Sequence, residues 1–302
     1  MVVPSYVEQT PSQRTAEVGV LLPQLGSITG WASLEWQGGW WFTGTRADGS
    51  FVPVPVALPR HSIRPQPPFA LCEERWHIGE VVRVDGLAVN DAVSAVGYAM
   101  RYASDLESAV VALDMAAFHD LVSLDEVLAW ILMRPSYTGI EQARQAWVLG
   151  DENAWSPKEP VMRVEWEAAG FPRPMTNRPL FDPTGRHLMT PDLIDPVNGV
   201  VGEYQGGLHL DGSRRYADIK RDERYRSLGL EPVEMVAGDL PRRSEFRARL
   251  AAAYRRAEPP PVVDRGWTME LPHWWIPTFT VEQRRALTPA QRMRLLGNRE
   301  AA

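Results

Sequence analysis

The stretch Pro191–His209, PDLIDPVNGVVGEYQGGLH, constrains this chain more than any other. Pro196 and Gly199 flank Val197-Asn198 between two apolar-rich runs, the pattern of two strands joined by a short turn. A loop centred on Val197-Asn198 pairs residues whose numbers sum to 395, which sets Asp192 opposite Glu203. Side chains so placed stand about 4.5–5.5 Å apart at Cβ, and like charges there repel. A fold keeps such a pair when it is solvated, shares a proton or binds a cation. Gln205, two residues beyond Glu203, falls on the same face. Carboxylate oxygens with an amide oxygen suit Mg²⁺ or Mn²⁺, and no cysteine or close histidine pair supports zinc. Read instead as ordinary exposed strand acids, Asp192 and Glu203 would leave their facing register without a reason.

The chain has 302 residues, 44% of them hydrophobic and 23% charged, enough for two domains. Its one cysteine, Cys72, excludes an internal disulfide framework and suits a reducing cytosol. No apolar run approaches the roughly 20 residues that span a membrane, and the first residues lack the charged start and apolar core of a signal peptide. The expected location is therefore cytoplasmic. A net charge of −6 argues against wholesale coating by nucleic acid. That charge is unevenly placed, however. Between Arg214 and Arg256 twelve basic residues face seven acidic ones, a local excess of five, which leaves −11 on the rest. The excess reads either as two solvated helix faces or as a phosphate-facing surface led by Arg214, Arg215, Lys220 and Arg221.

Residues 1–19 read as a loose leader. Ser27–Trp36 can form a short helix, and Trp40–Phe42 and Phe51–Leu58 read as strands, the second confined to an edge by its two prolines. Asp85-Gly86 predicts a hairpin between Trp76–Val84 and Leu87–Val89. Four helices follow, with Asn90 capping the first, capping boxes at Ser104–Glu107 and Ser123–Glu126, and the fourth over Gly139–Leu149. His61, His77 and His119 are isolated, and nothing in residues 1–150 gathers into a catalytic pattern. This region is expected to be a small α+β scaffold or recognition domain. Residues 151–257 open on Ser156-Pro157-Lys158-Glu159, a serine cap with proline at the first helical position. Helix to Ala169, strands over Asn177–Phe181, His187–Ile194 and Val200–Gln205, helix Ser213–Leu228, strand Glu231–Val236 and a helix capped by Asp239 make a mixed α/β core. Residues 258–302 are a Pro/Trp-rich tail with a short helix over Pro289–Leu296. Its Trp267, Trp274 and Trp275 either pack back on the domains or bind a partner protein.

Taken together, Ser156 and Glu159 on a helix, Asp192-Leu193 on a strand, Glu203-Tyr204-Gln205-Gly206 with His209, Asp218 with Arg221, and Gly229-Leu230 leading to Val233 resemble the PD-(D/E)XK nuclease superfamily. Within it, the order and spacing are most similar to the Vsr-like (very-short-patch-repair-type) endonuclease domain, over about residues 154–257. The preceding region looks like the non-catalytic part of actinobacterial proteins related to AbiEi-type antitoxins. The resemblance implies a restriction-endonuclease-like mixed sheet flanked by helices. It also implies Mg²⁺ or Mn²⁺ held by Asp192 and Glu203, joined through water by Glu159, with Gln205 orienting the attacking water. His209 would act as general acid or base or contact phosphate, and Arg221 would bind phosphate or pair with Asp218. The family's lysine is Gln205 here, and an amide carries no positive charge. Lys220 on the following helix is a substitute.

Three functions follow as expectations. The first is a metal-dependent endonuclease hydrolysing DNA in repair or phage defence. The second is a catalytically silent nuclease fold binding DNA or a protein partner, through the N-terminal domain or the tail, in an antitoxin-like system. The third is a structural module whose acids bind metal for stability alone. Glu159 is also fully explained as the third residue of a capping box; Asp218 and Arg221, three apart on a helix, likewise suit a plain ion pair.

Overall fold

The computed structural model describes residues 7–59, 63–64, 66–73, 78–205 and 212–297. It is mixed α/β and divides into two compact units, Met1–Glu152 and Asn153–Ala302. Among the described residues no helix is long and apolar enough to cross a membrane.

The first unit runs α1 (Pro11–Gly19), β1 (Ser27–Ile28), α2 (Gly30–Trp36), β2 (Val54–Leu58), β3 (Phe69–Glu73), β4 (Val81–Val84) and β5 (Leu87–Asn90), then four helices. These are α3 (Ala92–Arg101), α4 (Leu106–Phe118), α5 (Leu124–Leu132) and α6 (Ile140–Leu149). Its strands lie in the order β3-β2-β1-β5-β4. Asp85 and Gly86 both take positive φ, 48° and 81°, the geometry of a two-residue hairpin turn. The Ser123–Glu126 capping box forms in full. One position separates the other caps from expectation: Asp91 and Asp105, not Asn90 and Ser104, accept from the N–H groups of Ser94 and Ser108.

Three expectations fail in this unit for definable reasons. A helix, α1, stands where a loose leader was expected, because Thr10 accepts from the Gln13 N–H and Pro11 opens the first turn. Arg14 anchors it, donating from a buried position to the carbonyls of Thr43, Gly44 and Val52. Strand β2 is interior. The Val54 N–H donates to Pro68 on the β3 side, so the missing N–H of Pro55 faces β1, which pairs only with Val56 and Ala57. Trp40–Phe42 is a run of tight turns: the N–H groups of Trp40, Phe42 and Thr43 bond to carbonyls two or three residues back.

The second unit runs α7 (Lys158–Ala168), β6 (Met175–Thr176), β7 (Leu180–Phe181), β8 (His187–Met189), β9 (Leu193–Asp195), β10 (Val200–Gln205), α8 (Gly212–Ser227), β11 (Glu231–Val236), α9 (Arg243–Arg256), α10 (Val281–Arg285) and α11 (Pro289–Leu296). Its main sheet has the order β11-β10-β9-β6, antiparallel from β6 to β10 and parallel between β10 and β11. Only a crossover can join parallel neighbours, and α8 provides it. The expected strand Asn177–Phe181 breaks where Asn177 turns to positive φ, 48°. The expected strand His187–Ile194 breaks around Pro191, which has no N–H to give a ladder. Helix α9 starts later than expected, because Asp239 accepts from the Val236 N–H at 2.7 Å and closes a short 3₁₀ turn.

Alternation along the strands decides what each face meets. Ile194 and Val201 pack with Tyr225 of α8, Leu230 and Trp267 in one buried cluster. Gly202 points the other way, where a Cβ would stand 2.9 Å from the Trp166 ring of α7. That missing side chain lets α7 sit close to the sheet. Trp166 Nε1 donates to Tyr254 Oη of α9 at 3.1 Å, and Tyr254 donates on to Asp195 at 2.7 Å, joining α7, α9 and the end of β9. The tail runs back along this unit. Trp267 is 5% exposed and donates to the Leu228 carbonyl, and Thr268 exchanges both backbone hydrogen bonds with Phe181. Replacing Gly202 by alanine should therefore cost the second unit about 1–3 kcal/mol through overpacking against Trp166. The measurement is the urea midpoint by tryptophan fluorescence, and an unchanged midpoint would show that α7 does not rest on this glycine.

Candidate active site

The hairpin register holds: Val200, Val201 and Gly202 pair with Asp195, Ile194 and Leu193. Asp192 lies one residue before β9 and continues that register, its carboxylate accepting the Tyr204 N–H at 2.7 Å. Asp192 and Glu203 then line one cavity of about 530 Å³ together with Lys220, Arg221, Arg224 and Tyr225 of α8. The four helix residues sit at i, i+1, i+4 and i+5, the stripe one helix face presents. They meet Glu203 because Val201, Glu203 and Gln205 share the sheet face that α8 covers.

Glu203 is 8% exposed and fully engaged. Tyr225 Oη donates a short hydrogen bond to Oε1, and Arg221 Nη1 lies 3.2 Å from Oε2. Burial and the charge of Asp192 nevertheless push the Glu203 carboxyl up to about 8, against the opposing pull of Tyr225 and Arg221. Burial likewise raises Asp192, opposed by the Tyr204 N–H and Arg221. Tyr225 is raised too, by burial and then by Glu203, so it keeps its proton and serves as a donor.

Glu159 forms the back of the same acidic group. It is 4% exposed, and burial followed by the charge of Asp192 raises it to about 8. Its carboxylate accepts from the Trp155 N–H at 2.8 Å and from Asn177 Nδ2 at 2.5 Å, while the Asn177 N–H donates to the Asp192 carbonyl at 2.9 Å. This replaces the capping box expected at Ser156. The helix begins at Lys158 behind Pro157, which makes no side-chain cap, and Glu159 reaches back past Ser156 to Trp155.

Gln205 is on the expected face but bonded elsewhere: its Nε2 donates to Glu234 Oε1 at 2.7 Å. Glu234 pairs directly with Glu203 across β10 and β11, a third acid on this face. Gln205 does not line the cavity, so its amide is held by Glu234 rather than offered to a water there. Lys220 does line it, and its ammonium also pairs with Glu223 at 2.9 Å. Arg221 pairs with Glu203, whereas pairing with Asp218 was the other expectation. His209 and the side chains of Arg214, Arg215 and Asp218 lie outside the described residues.

Sequence reasoning missed Tyr225, Arg224, Glu234 and Asn177. Tyr225 and Arg224 carry a signal, standing four residues after Arg221 and Lys220 on one helix face. Glu234 and Asn177 carry none, because their places depend on how β11 docks and how the chain turns at Asn177.

Among the described residues no group of three or more His, Cys, Asp or Glu is placed to hold a metal ion. The donor chemistry of the facing pair still suits a hard divalent cation: two carboxylates raised by burial, Glu203 also by the charge of Asp192, and open to one cavity. Asp192 and Glu203 would hold it, with Arg221 already beside Glu203.

Raised carboxyls make stability fall with pH. Glu159 and Glu203 stand near 8 in the fold against an ordinary value of 4.5, so between those limits the folded state binds more protons. Their contribution is complete below about 4.5 and is lost as pH rises through about 8. The metal-free melting temperature should decline from pH 5 to pH 9, and Glu203→Gln should flatten the decline. A Glu203→Gln profile parallel to wild type would show that this carboxyl is not raised.

Comparison of the chain with protein-family models, with curated proteins and with solved structures found no match.

Proposed function

We propose that the second unit is a restriction-endonuclease-like domain of the Vsr type that cleaves DNA, a metal-dependent endonuclease acting in repair or phage defence. One observation carries this reading: a facing acid pair and three cationic side chains line the same cavity. Acids alone would repel a phosphodiester, and cations alone would only retain it. Side by side they suit hydrolysis, with the cations on the phosphate oxygens and the acids on a metal. The order of elements, an acid-bearing helix, a hairpin carrying Asp192 and Glu203, a basic crossover helix and a parallel strand, supports the same reading.

A bound Mg²⁺ or Mn²⁺ would supply a water of lowered pKa and offset charge building on the phosphate. The protein's own residues do the rest. Asp192 and Glu203 hold the cation, and the Tyr204 N–H and Tyr225 hydroxyl aim their carboxylates. Glu159 steadies Asp192 from behind through Asn177, and would join the metal through water as the resemblance implies. Arg221, Arg224 and Lys220 bind phosphate from α8. Gln205, held by Glu234 outside the cavity lining, takes no step, and His209 keeps the acid–base or phosphate role that the resemblance gives it.

A second reading, a silent nuclease fold that binds DNA or a partner, is favoured by one contact. Arg221 already neutralises Glu203, which is the service a metal would perform. The two readings part on turnover. Purified protein with supercoiled plasmid and Mg²⁺ or Mn²⁺ should nick it, and Asp192→Asn or Glu203→Gln should slow nicking at least about 100-fold. Wild-type activity in either variant would end the enzyme reading. In EDTA, DNA retention should fall with salt, and neutralising Lys220, Arg221 and Arg224 together should lower that salt dependence by up to about three charges' worth.

A further inference from the structure

Beside the acidic cavity lies a second one of about 630 Å³, walled by Trp155, Trp274, Trp275 and Phe279. Ligand-binding clefts typically run about 300–1,000 Å³ with apolar walls and a few polar groups, so this one has the size and character of a built site. Thr190 lines both cavities, and it stands two residues before Asp192, so the two are at most about 7 Å apart along the chain at that wall.

The aromatic walls are not a packed core. Trp274 is 51% exposed. Trp275 stacks on His187 with centroids 5.4 Å apart, and its Nε1 is buried without an acceptor among the described residues. Phe279 is covered on one side by the Arg178 guanidinium, 4.1 Å from the ring centre. Thus Trp274 offers ring surface, and Arg294 in the lining brings positive charge. An aliphatic ligand has no use for the cation, and what selects a nucleotide over an acidic peptide is the wall at Thr190 shared with the acidic and basic cavity. A nucleotide uses both ring surface and cation, through its π-face and its phosphate.

We infer that this tail-built groove holds an unpaired nucleobase of the strand whose backbone crosses the adjacent acidic and basic cavity. The substrate class is then single-stranded DNA or DNA with an unpaired or displaced nucleotide, not uninterrupted duplex. This rests on the phosphodiester reading of that cavity, and it assigns the groove a separate task. The bases in a duplex are stacked on one another and cannot offer a face to Trp274, whereas an unpaired base can.

The test is fluorescence anisotropy in EDTA with three labelled oligonucleotides of matched length: a single strand, the fully paired duplex and an abasic single strand. Wild type should bind the single strand roughly tenfold tighter than the abasic strand, the worth of one stacked base. Trp274→Ala should remove that difference and Trp274→Phe restore much of it. Trp274 is half exposed, so the alanine variant should melt as wild type does. Equal binding of normal and abasic strands, preference for the duplex, or an unchanged preference in Trp274→Ala would each overturn the groove assignment. Failure to cleave both supercoiled plasmid and the single strand in Mg²⁺ or Mn²⁺, with base-dependent binding intact, would end the enzyme reading and leave the groove standing. Nicking with no base dependence would do the reverse.

Discussion

Glu203 is the residue on which the second unit turns. Its carboxylate is buried between a tyrosine hydroxyl, a guanidinium and the charge of Asp192, on a strand that β9 and β11 pair and that α7 and α8 cover. Leaving a buried carboxylate without partners costs several kcal/mol, so the site dictates much around it. Helix α8 must present Arg221 and Tyr225 on one face. That orientation brings Lys220 and Arg224 to the cavity and sends Tyr225 into the core with Ile194 and Val201. One helix registration therefore serves packing and charge together.

Three acids raised above their ordinary range, Glu159, Asp192 and Glu203, form a site whose resting charge is less than its formal one. Such groups titrate as a set. On the proposed function, a divalent cation held by Asp192 and Glu203 would displace protons, and a phosphate approaching from α8 would meet cations before ionised acids. The tail completes the unit by closing over β7, with Trp267 in the core and Trp274 left half open beside Thr190. Its aromatic residues thus divide between those that hold the fold and those that keep a face for something else.

Legibility in the sequence followed locality. The pairing of Asp192 and Glu203 could be read because one turn, Val197-Asn198, sets a short antiparallel register, and the observed pairs obey it. Strand β11 and the Asp85-Gly86 hairpin were equally local. What failed was the long-range part. Pro55 sits in an interior strand because its partner β1 is too short to need its N–H, a fact of docking and not of propensity. Gln205 belongs to Glu234 because β10 and β11 are parallel neighbours in one particular register. Glu159 looked like a cap because the first turn of α7 fits that pattern, but Asn177 arrives from 18 residues away to claim its carboxylate.

The most direct test is a Mn²⁺ titration of the protein followed by electron paramagnetic resonance at pH 7, with proton release measured alongside. The account predicts that wild type takes up Mn²⁺ and releases protons as it does so, because the carboxyls that bind it start partly protonated. Asp192→Asn should lose that binding. Uptake unchanged in Asp192→Asn, or uptake without proton release, would contradict it.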